Sequence, residues 1–282
     1  MKLTKKAYAK LNLSLDVSEK LKNGYHNIES IFQSVSLFDE VSVELTEGGI
    51  EVLCNNATLS GENNICYFAA KTFFEKANVG MGAKITINKG IPLAAGLGGG
   101  SADAAAVLLI LNEMLNYPLS HTQLLELGLT LGADVPFCIV GGTMYVGGVG
   151  EILKSTMPLP QCDIIIIKND QKPSTKELYA RLDSKETVPH PDINKMLLAL
   201  EMGDLELLGK RAENSFSAVW GESVNKVKSD LESFGALGTE LSGSGPSVFG
   251  IFSSGDGEKV YKELKNKYKE IYLCTPVFKG VE

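Results

Sequence analysis

The chain announces itself near its amino terminus with a period of two. Over residues 7–17, Ala7, Ala9, Leu11, Leu13, Leu15 and Val17 fall on one side, with Tyr8, Lys10, Asn12, Ser14 and Asp16 on the other. That alternation predicts a half-buried strand whose polar face carries Lys10 and Asn12 together. A turn signal at Asn23-Gly24 precedes a second alternation over 28–37, and the stretches 41–45 and 50–53 around Gly48-Gly49 read as a β-hairpin. Helical spacing over 65–77 follows, with Asn63 as its cap, and then a short strand over 83–88. Helices are predicted over 101–116, with Ser101 as cap, and over 120–131, with Ser120 as cap. Residues 137–140 and 143–146 read as strands around Gly141-Gly142.

A second half begins near residue 155. Its strand over 162–168 contains four consecutive isoleucines, Ile164 to Ile167, the mark of burial on both faces. Helices are expected over 174–182, 192–201, 204–220, 222–234 and 255–268, and a last strand over 271–277, so this half reads as mixed α+β. Ahead of its strand over 247–252 stands a glycine-serine loop, Ser242-Gly-Ser-Gly-Pro246.

The segment between the strand at 83–88 and the helix after it departs most from ordinary patterning. Four glycines in five positions (Gly96, Gly98, Gly99, Gly100) run into Ser101 and an alanine-rich helix. Glycine lets the backbone turn through positive φ and approach a ligand closely, and the first turn of the helix adds unbonded amides and the positive end of its dipole. Such a joint suits a phosphate. The pattern G-x-x-x-x-G-K-[ST] is absent, and G-x-G-x-x-G fails because Ser101 stands in its last place. Further on, Gly132-Ala-Asp134-Val-Pro136 ends a helix and holds Asp134 at a joint where a carboxylate can face a cleft.

Composition narrows the setting. At 282 residues, 44% hydrophobic and 22% charged, the chain has material for one large domain or two modest ones sharing a cleft. A net charge of −7 argues against a general binder of nucleic acid or anionic membrane, so an anionic ligand needs a locally positive site. The five cysteines are scattered, without C-x-x-C pairs or histidines at ligand spacing, which suits reduced and mostly buried thiols in the cytoplasm. The amino terminus lacks the apolar core of about 7–15 residues that a signal peptide needs. No nucleophile elbow G-x-S-x-G and no H-E-x-x-H pair occur.

Three segments together resemble one family: Ala9-Lys-Leu-Asn-Leu13, Pro92-Leu-Ala-Ala-Gly-Leu-Gly-Gly-Gly-Ser-Ala102, and Leu241-Ser-Gly-Ser-Gly-Pro-Ser247. In order and separation they are similar to the three motifs of the GHMP small-molecule kinases. Within that superfamily, Gly24-Tyr-His26, Gly128-Leu-Thr-Leu-Gly-Ala-Asp-Val-Pro136 and Gly150-Glu151 resemble the branch that acts on a cytidine-diphosphate-linked methylerythritol. The resemblance implies a two-lobed α+β fold. A ribosomal protein S5 domain 2-like N-terminal lobe would span 1–155, and a ferredoxin-like C-terminal lobe 156–282. It implies an enzyme of non-mevalonate isoprenoid biosynthesis that moves the γ-phosphate of ATP, with Mg²⁺, to the 2-hydroxyl of that acceptor. No nucleic-acid or membrane partner is implied, and the oligomeric state stays open.

By the same resemblance Asp134 is the base that takes the hydroxyl proton, and Lys10 holds it ionised and orients the acceptor. Pro92, Leu93, Ala94, Ala95, Gly96, Leu97, Gly98, Gly99, Gly100, Ser101 and Ala102 would hold the ATP phosphates, with Asn64, Ile65 and Lys89 near the adenine. Tyr25 would stack on cytosine and His26 read its edge, with Asn12 near the acceptor and Thr175 and Tyr179 completing the cytidine site. Asp103 is expected to face away from the phosphates or to help place Mg²⁺, with Ser101 the preferred contact for the metal. Two alternatives remain at this point: a GHMP kinase for homoserine or mevalonate, and a nucleotide-binding module without turnover.

Overall fold

The computed structural model describes residues 2–22, 24–169, 171 and 173–282; Asn23, half of the expected turn, lies outside the described residues. The first half runs β1 (Lys2–Lys20), β2 (His26–Thr46), β3 (Ile50–Cys54), α1 (Ile65–Ala77), β4 (Gly82–Asn88), α2 (Gly99–Met114), α3 (His121–Leu131), α4 (Val135–Val140), β5 (Thr143–Gly148) and β6 (Ile152–Ser155). The second half holds β7 (Asp163–Lys168), α5 (Thr175–Asp183), α6 (Ile193–Met202), α7 (Leu205–Lys210), α8 (Glu222–Ser233), β8 (Gly238–Leu241), β9 (Ser247–Phe252), α9 (Gly257–Leu264) and β10 (Glu270–Cys274).

The first sheet is ordered β3-β4-β2-β5-β6, with β1 paired along β2. The period-two strand is present and longer than the alternation, but it is not half-buried. Lys10, Asn12 and Ser14 are as shielded as Leu11 and Leu13. Segments from the second half lie over the polar face: Ser14 Oγ donates to the Glu213 carbonyl at 3.0 Å, and the Asn12 amide to Ser242 Oγ at 3.4 Å. A polar strand face can thus be interior when it has partners to bond.

The expected hairpin is not one. β4 lies between β3 and β2, antiparallel to β2 and parallel to β3. Parallel neighbours need a crossover, which α1 supplies. Gly49 instead offers its carbonyl to the Ala83 amide of β4 at 2.9 Å.

Helix boundaries also move, and one stretch read as strand is helical. Asn64, not Asn63, caps α1, its side chain accepting from the Cys66 amide at 2.8 Å. α2 starts at Gly99 behind a left-handed Gly98, so Ser101 is inside the helix and not its cap. The stretch 137–140 is helical, because Pro136 sits in the first turn of α4, where its fixed φ suits the helix and its missing N–H costs nothing. The helix expected over 204–220 breaks after Lys210, and 215–219 form a 3₁₀ turn capped by Asn214. Ser120 does cap α3, in a reciprocal capping box with Gln123.

The second sheet is ordered β10-β7-β9-β8 and is antiparallel throughout. With α8 and α9 as its crossovers this is a ferredoxin-like split β-α-β arrangement. The isoleucine run now has a reason. Ile164 and Ile166 join the core that reaches Leu11, Ala105 and Leu108, while Ile165 and Ile167 join a second core with Leu178, Phe216 and Leu231. The chain end returns along β1, where the Tyr8 amide donates to the Gly280 carbonyl at 2.9 Å. Among the described residues no helix is long and apolar enough to cross a membrane.

Candidate active site

β4 delivers the chain into a loop that turns through positive φ at Ala94 (49°), Gly96 (77°) and Gly98 (70°). Glycine is required at the last two by space as well as by φ. A side chain at Gly98 would lie 2.8 Å from Lys10 Cγ, and one at Gly96 would meet the Ser242 carbonyl. Ala94 bears a Cβ in this conformation, the kind of local strain that a surrounding structure must hold in place. The loop is fastened on both sides: the Lys10 amide donates to the Leu97 carbonyl at 2.9 Å, Ser242 Oγ to the Gly96 carbonyl at 3.2 Å, and the Ser247 amide to the Ala95 carbonyl at 3.3 Å. At the head of α2 no side chain caps the first-turn amides, the arrangement that welcomes an anion.

Beside this loop lies Lys10, 5% exposed. Its ammonium donates to Asn12 Oδ1 at 2.6 Å, stands over the Phe32 ring at 4.5 Å from the centroid, and lies 3.5 Å from Asp134 Oδ2. Asp134 comes from the joint between α3 and α4. Its side chain caps nothing and is 34% exposed, so the carboxylate is free to face the cleft.

The cleft encloses about 720 Å³. Lys10, Asn12, Tyr25, Ile65, Lys89, every loop residue from Pro92 to Ser101, Asp134, Thr175 and Tyr179 line it. Three expected residues stand behind the wall instead. Asn64 uses its amide as a cap, donating to the Leu59 carbonyl at 2.7 Å as well as accepting from Cys66. Ala102 is wholly buried in α2. His26 is 8% exposed, its Nε2 donating to Asp183 Oδ1 at 2.7 Å and its ring stacked on Tyr179 with centroids 4.7 Å apart.

Asp183 in turn is held below the usual carboxylate range by its hydrogen bond from Lys20, and then by His26, against some loss of solvation. Burial, with Asp134 nearby, pushes the Tyr179 hydroxyl up to about 12, so that ring stays neutral. Phe216 meets Tyr179 edge-on at 5.0 Å and lines the cleft. Sequence patterning missed it, since a lone phenylalanine inside an apparent helix carries no local signal. Gly243 and Ser244, also on the wall, belong to the glycine-serine loop that the sequence did mark.

Behind the glycine loop, Lys89 Nζ bonds both Asp39 and, at 2.7 Å, Asp103. Asp103 therefore faces away from the cleft. Burial pushes its carboxyl up to about 8, with Lys89 pulling the other way and Asp39 adding to the rise. Burial opposes the Lys89 ammonium too, but the two carboxylates outweigh it and hold its pKa above the ordinary lysine range.

The chamber thus has an anion-accepting end at the loop, an aromatic end at Tyr25 and Tyr179, and a carboxylate with its ammonium beside the loop. Comparison with known proteins matches residues 64–142 to the GHMP kinases N terminal domain and residues 196–270 to the GHMP kinases C terminal domain. A 4-diphosphocytidyl-2-C-methyl-D-erythritol kinase of Clostridium tetani is 39% identical over 277 residues, covering 96% of this chain and 99% of that one. The enzyme of the same name from Caldicellulosiruptor bescii is 42% identical, covering 96% of each. A crystal structure of 4-(cytidine 5'-diphospho)-2C-methyl-D-erythritol kinase superposes with a TM-score of 0.83 at 30% identity, covering 98% of this chain and 99% of that one.

Proposed function

The chain belongs to the 4-diphosphocytidyl-2-C-methyl-D-erythritol kinases of the GHMP kinase superfamily, and we propose that it carries out their chemistry in the cleft described above, with Asp134 as base and Lys10 as its partner. It phosphorylates the 2-hydroxyl of 4-diphosphocytidyl-2-C-methyl-D-erythritol with ATP, giving the 2-phosphate and ADP, a step in non-mevalonate isoprenoid precursor biosynthesis. The observation that carries the residue assignment is the meeting at Lys10 Nζ, beside the glycine loop, of Asn12 Oδ1 at 2.6 Å and Asp134 Oδ2 at 3.5 Å.

The acceptor hydroxyl gives its proton to Asp134 as its oxygen attacks the γ-phosphorus. The bond from that phosphorus to the β,γ-bridging oxygen breaks, and ADP leaves with the electron pair. Phosphoryl transfer asks the protein mainly for position and charge. Loop residues 92–101 and the head of α2 supply both for the phosphates, while Ile65 and Lys89 line the wall toward the adenine end, with Asn64 just behind. Tyr25 and Tyr179 take the cytosine faces, His26 holds Tyr179 in place from behind the wall, Thr175 completes the cytidine site, and Asn12 borders the acceptor.

Mg²⁺ fits a site of this kind, since it is held chiefly by the nucleotide's own phosphates with one or two protein oxygens. Among the described residues no group of three or more acidic, histidine or cysteine side chains gathers for a metal. The Ser101 hydroxyl, on the cleft wall, would be its contact, and the ion would neutralise phosphate charge. Free thiols and the absence of a disulfide among the described residues suit an enzyme of the cytoplasm.

The direct test is incubation with Mg·ATP and 4-diphosphocytidyl-2-C-methyl-D-erythritol, read by phosphorus NMR, with homoserine and mevalonate alongside. A new phosphomonoester signal beside an intact diphosphate is expected for the cytidine substrate alone. Binding of ATP with no transfer to any acceptor would make the chain a nucleotide-binding module. Within the active enzyme, Tyr179→Ala is expected to raise the KM for the cytidine substrate about 5- to 150-fold, the worth of one base on an aromatic ring. The KM for ATP should stay put, and a change in both would show that Tyr179 shapes the cleft as a whole.

A further inference from the structure

We propose that Asp39, Lys89 and Asp103 act together as positioning residues for ATP, setting the shape of the glycine loop from behind; the inference rests on the nucleotide reading of that loop. Asp39, on β2, is fully buried. Its Oδ1 accepts the amides of Gly90 at 2.7 Å and Ile91 at 2.8 Å, and its Oδ2 accepts from Lys89 Nζ. Lys89 also donates to Asp103 Oδ2, on the second turn of α2, at 2.7 Å. One lysine thereby ties the start of the loop to the helix at its far end.

The geometry singles out the loop. A side chain built on Gly99 would stand 3.2 Å from Lys89 Nζ, so the ammonium sits directly behind the first residue of α2. Of the three side chains only Lys89 reaches the cleft wall; Asp39 and Asp103 do not line it. Burying a lysine between two carboxylates is expensive, and an apolar cluster of the same volume would hold a helix to a sheet at least as well. What charged groups add is direction. Asp39 fixes two successive amides at the point where the chain leaves β4 for the phosphate turn, which dispersion contacts cannot do.

The test is the Kd for Mg·ATP by titration calorimetry without acceptor, beside both KM values and a thermal melt, for Asp39→Ala, Asp39→Asn and Asp103→Asn. Asp39→Ala frees two amides and Lys89, and is expected to weaken Mg·ATP about tenfold while the KM for the cytidine substrate moves less than about twofold. Asp39→Asn keeps one acceptor but turns an NH₂ toward Lys89; it is expected to behave alike and carries the test if the alanine variant does not fold. Asp103→Asn retains an oxygen for Lys89 and should cost less than about threefold.

Since Asp39 is shut off from the cleft, a selective loss of ATP affinity reports loop position. A lowered melting temperature with ATP affinity within about twofold of wild type would overturn the inference and leave the triad a brace of the fold. Wild-type protein that binds Mg·ATP yet phosphorylates no acceptor would sink the kinase reading and leave this one standing, whereas wild-type protein that does not bind Mg·ATP would sink the inference itself.

Discussion

Replacing Asp134 with asparagine is expected to lower kcat about 10²- to 10⁴-fold, the range a positioned general base supplies. The substitution is close to a clean removal of charge. Asp134 makes no side-chain cap bond to the helix it precedes and is 34% exposed, so asparagine breaks no cap, and the Lys10 ammonium that loses its carboxylate keeps Asn12 Oδ1 as acceptor. The glycine loop is held by Lys10, Ser242 and Ser247, none of which depends on that carboxylate. Calorimetry with Mg·ATP should therefore give a Kd within about twofold of wild type, while single-turnover transfer nearly vanishes. Turnover within about threefold of wild type would remove the base assignment, and a parallel loss of ATP binding would show that Asp134 shapes the nucleotide site.

Why some of this was legible in the sequence and some was not follows from what each feature depends on. The strand bearing Lys10 and Asn12 rests on a local period, and the glycine loop on residues that a tight turn through positive φ requires; both stand where they were expected. Asp134 at a joint was readable because Gly132 and Pro136 bracket it. The misplaced features depend on partners far along the chain. Whether 50–54 folds back on β2 is decided by β4, some thirty residues later, and by the helix that carries the chain there. The covering of the polar face of β1 comes from residues 213–215 and 242, two hundred positions away. Asp39 could not be found at all. In Leu37-Phe-Asp-Glu40 it looks like any polar residue on a strand, and only the return of the chain at Gly90 and Ile91 gives it work.

The site also shows why its parts are interdependent. Gly98 has no side chain because the stem of Lys10 passes where one would be, so the glycine loop and the cation beside Asp134 occupy one packed layer. Lys10 reaches both with different atoms: its amide holds the Leu97 carbonyl and its ammonium faces Asp134.

Lys10→Met separates those duties. Methionine keeps the stem against Gly98 and leaves the backbone bond to Leu97 alone, but removes the ammonium from Asn12, Phe32 and Asp134. The expected result is a fall in kcat of about 10²- to 10³-fold, comparable to losing one preorganised donor at a site of developing charge. The Kd for Mg·ATP should change far less, because the loop is still fastened. Arginine should not rescue, since its planar fork replaces a compact ammonium that meets Asn12 Oδ1 at 2.6 Å, Asp134 Oδ2 at 3.5 Å and the Phe32 ring at 4.5 Å.

The informative variant is the double one. If Lys10 acts by holding and charging Asp134, then Lys10→Met with Asp134→Asn should be scarcely slower than Asp134→Asn alone, as for residues that work as a unit. Multiplied losses would instead mean that the ammonium serves the phosphate or the acceptor directly, with Asp134 a neighbour and not its object.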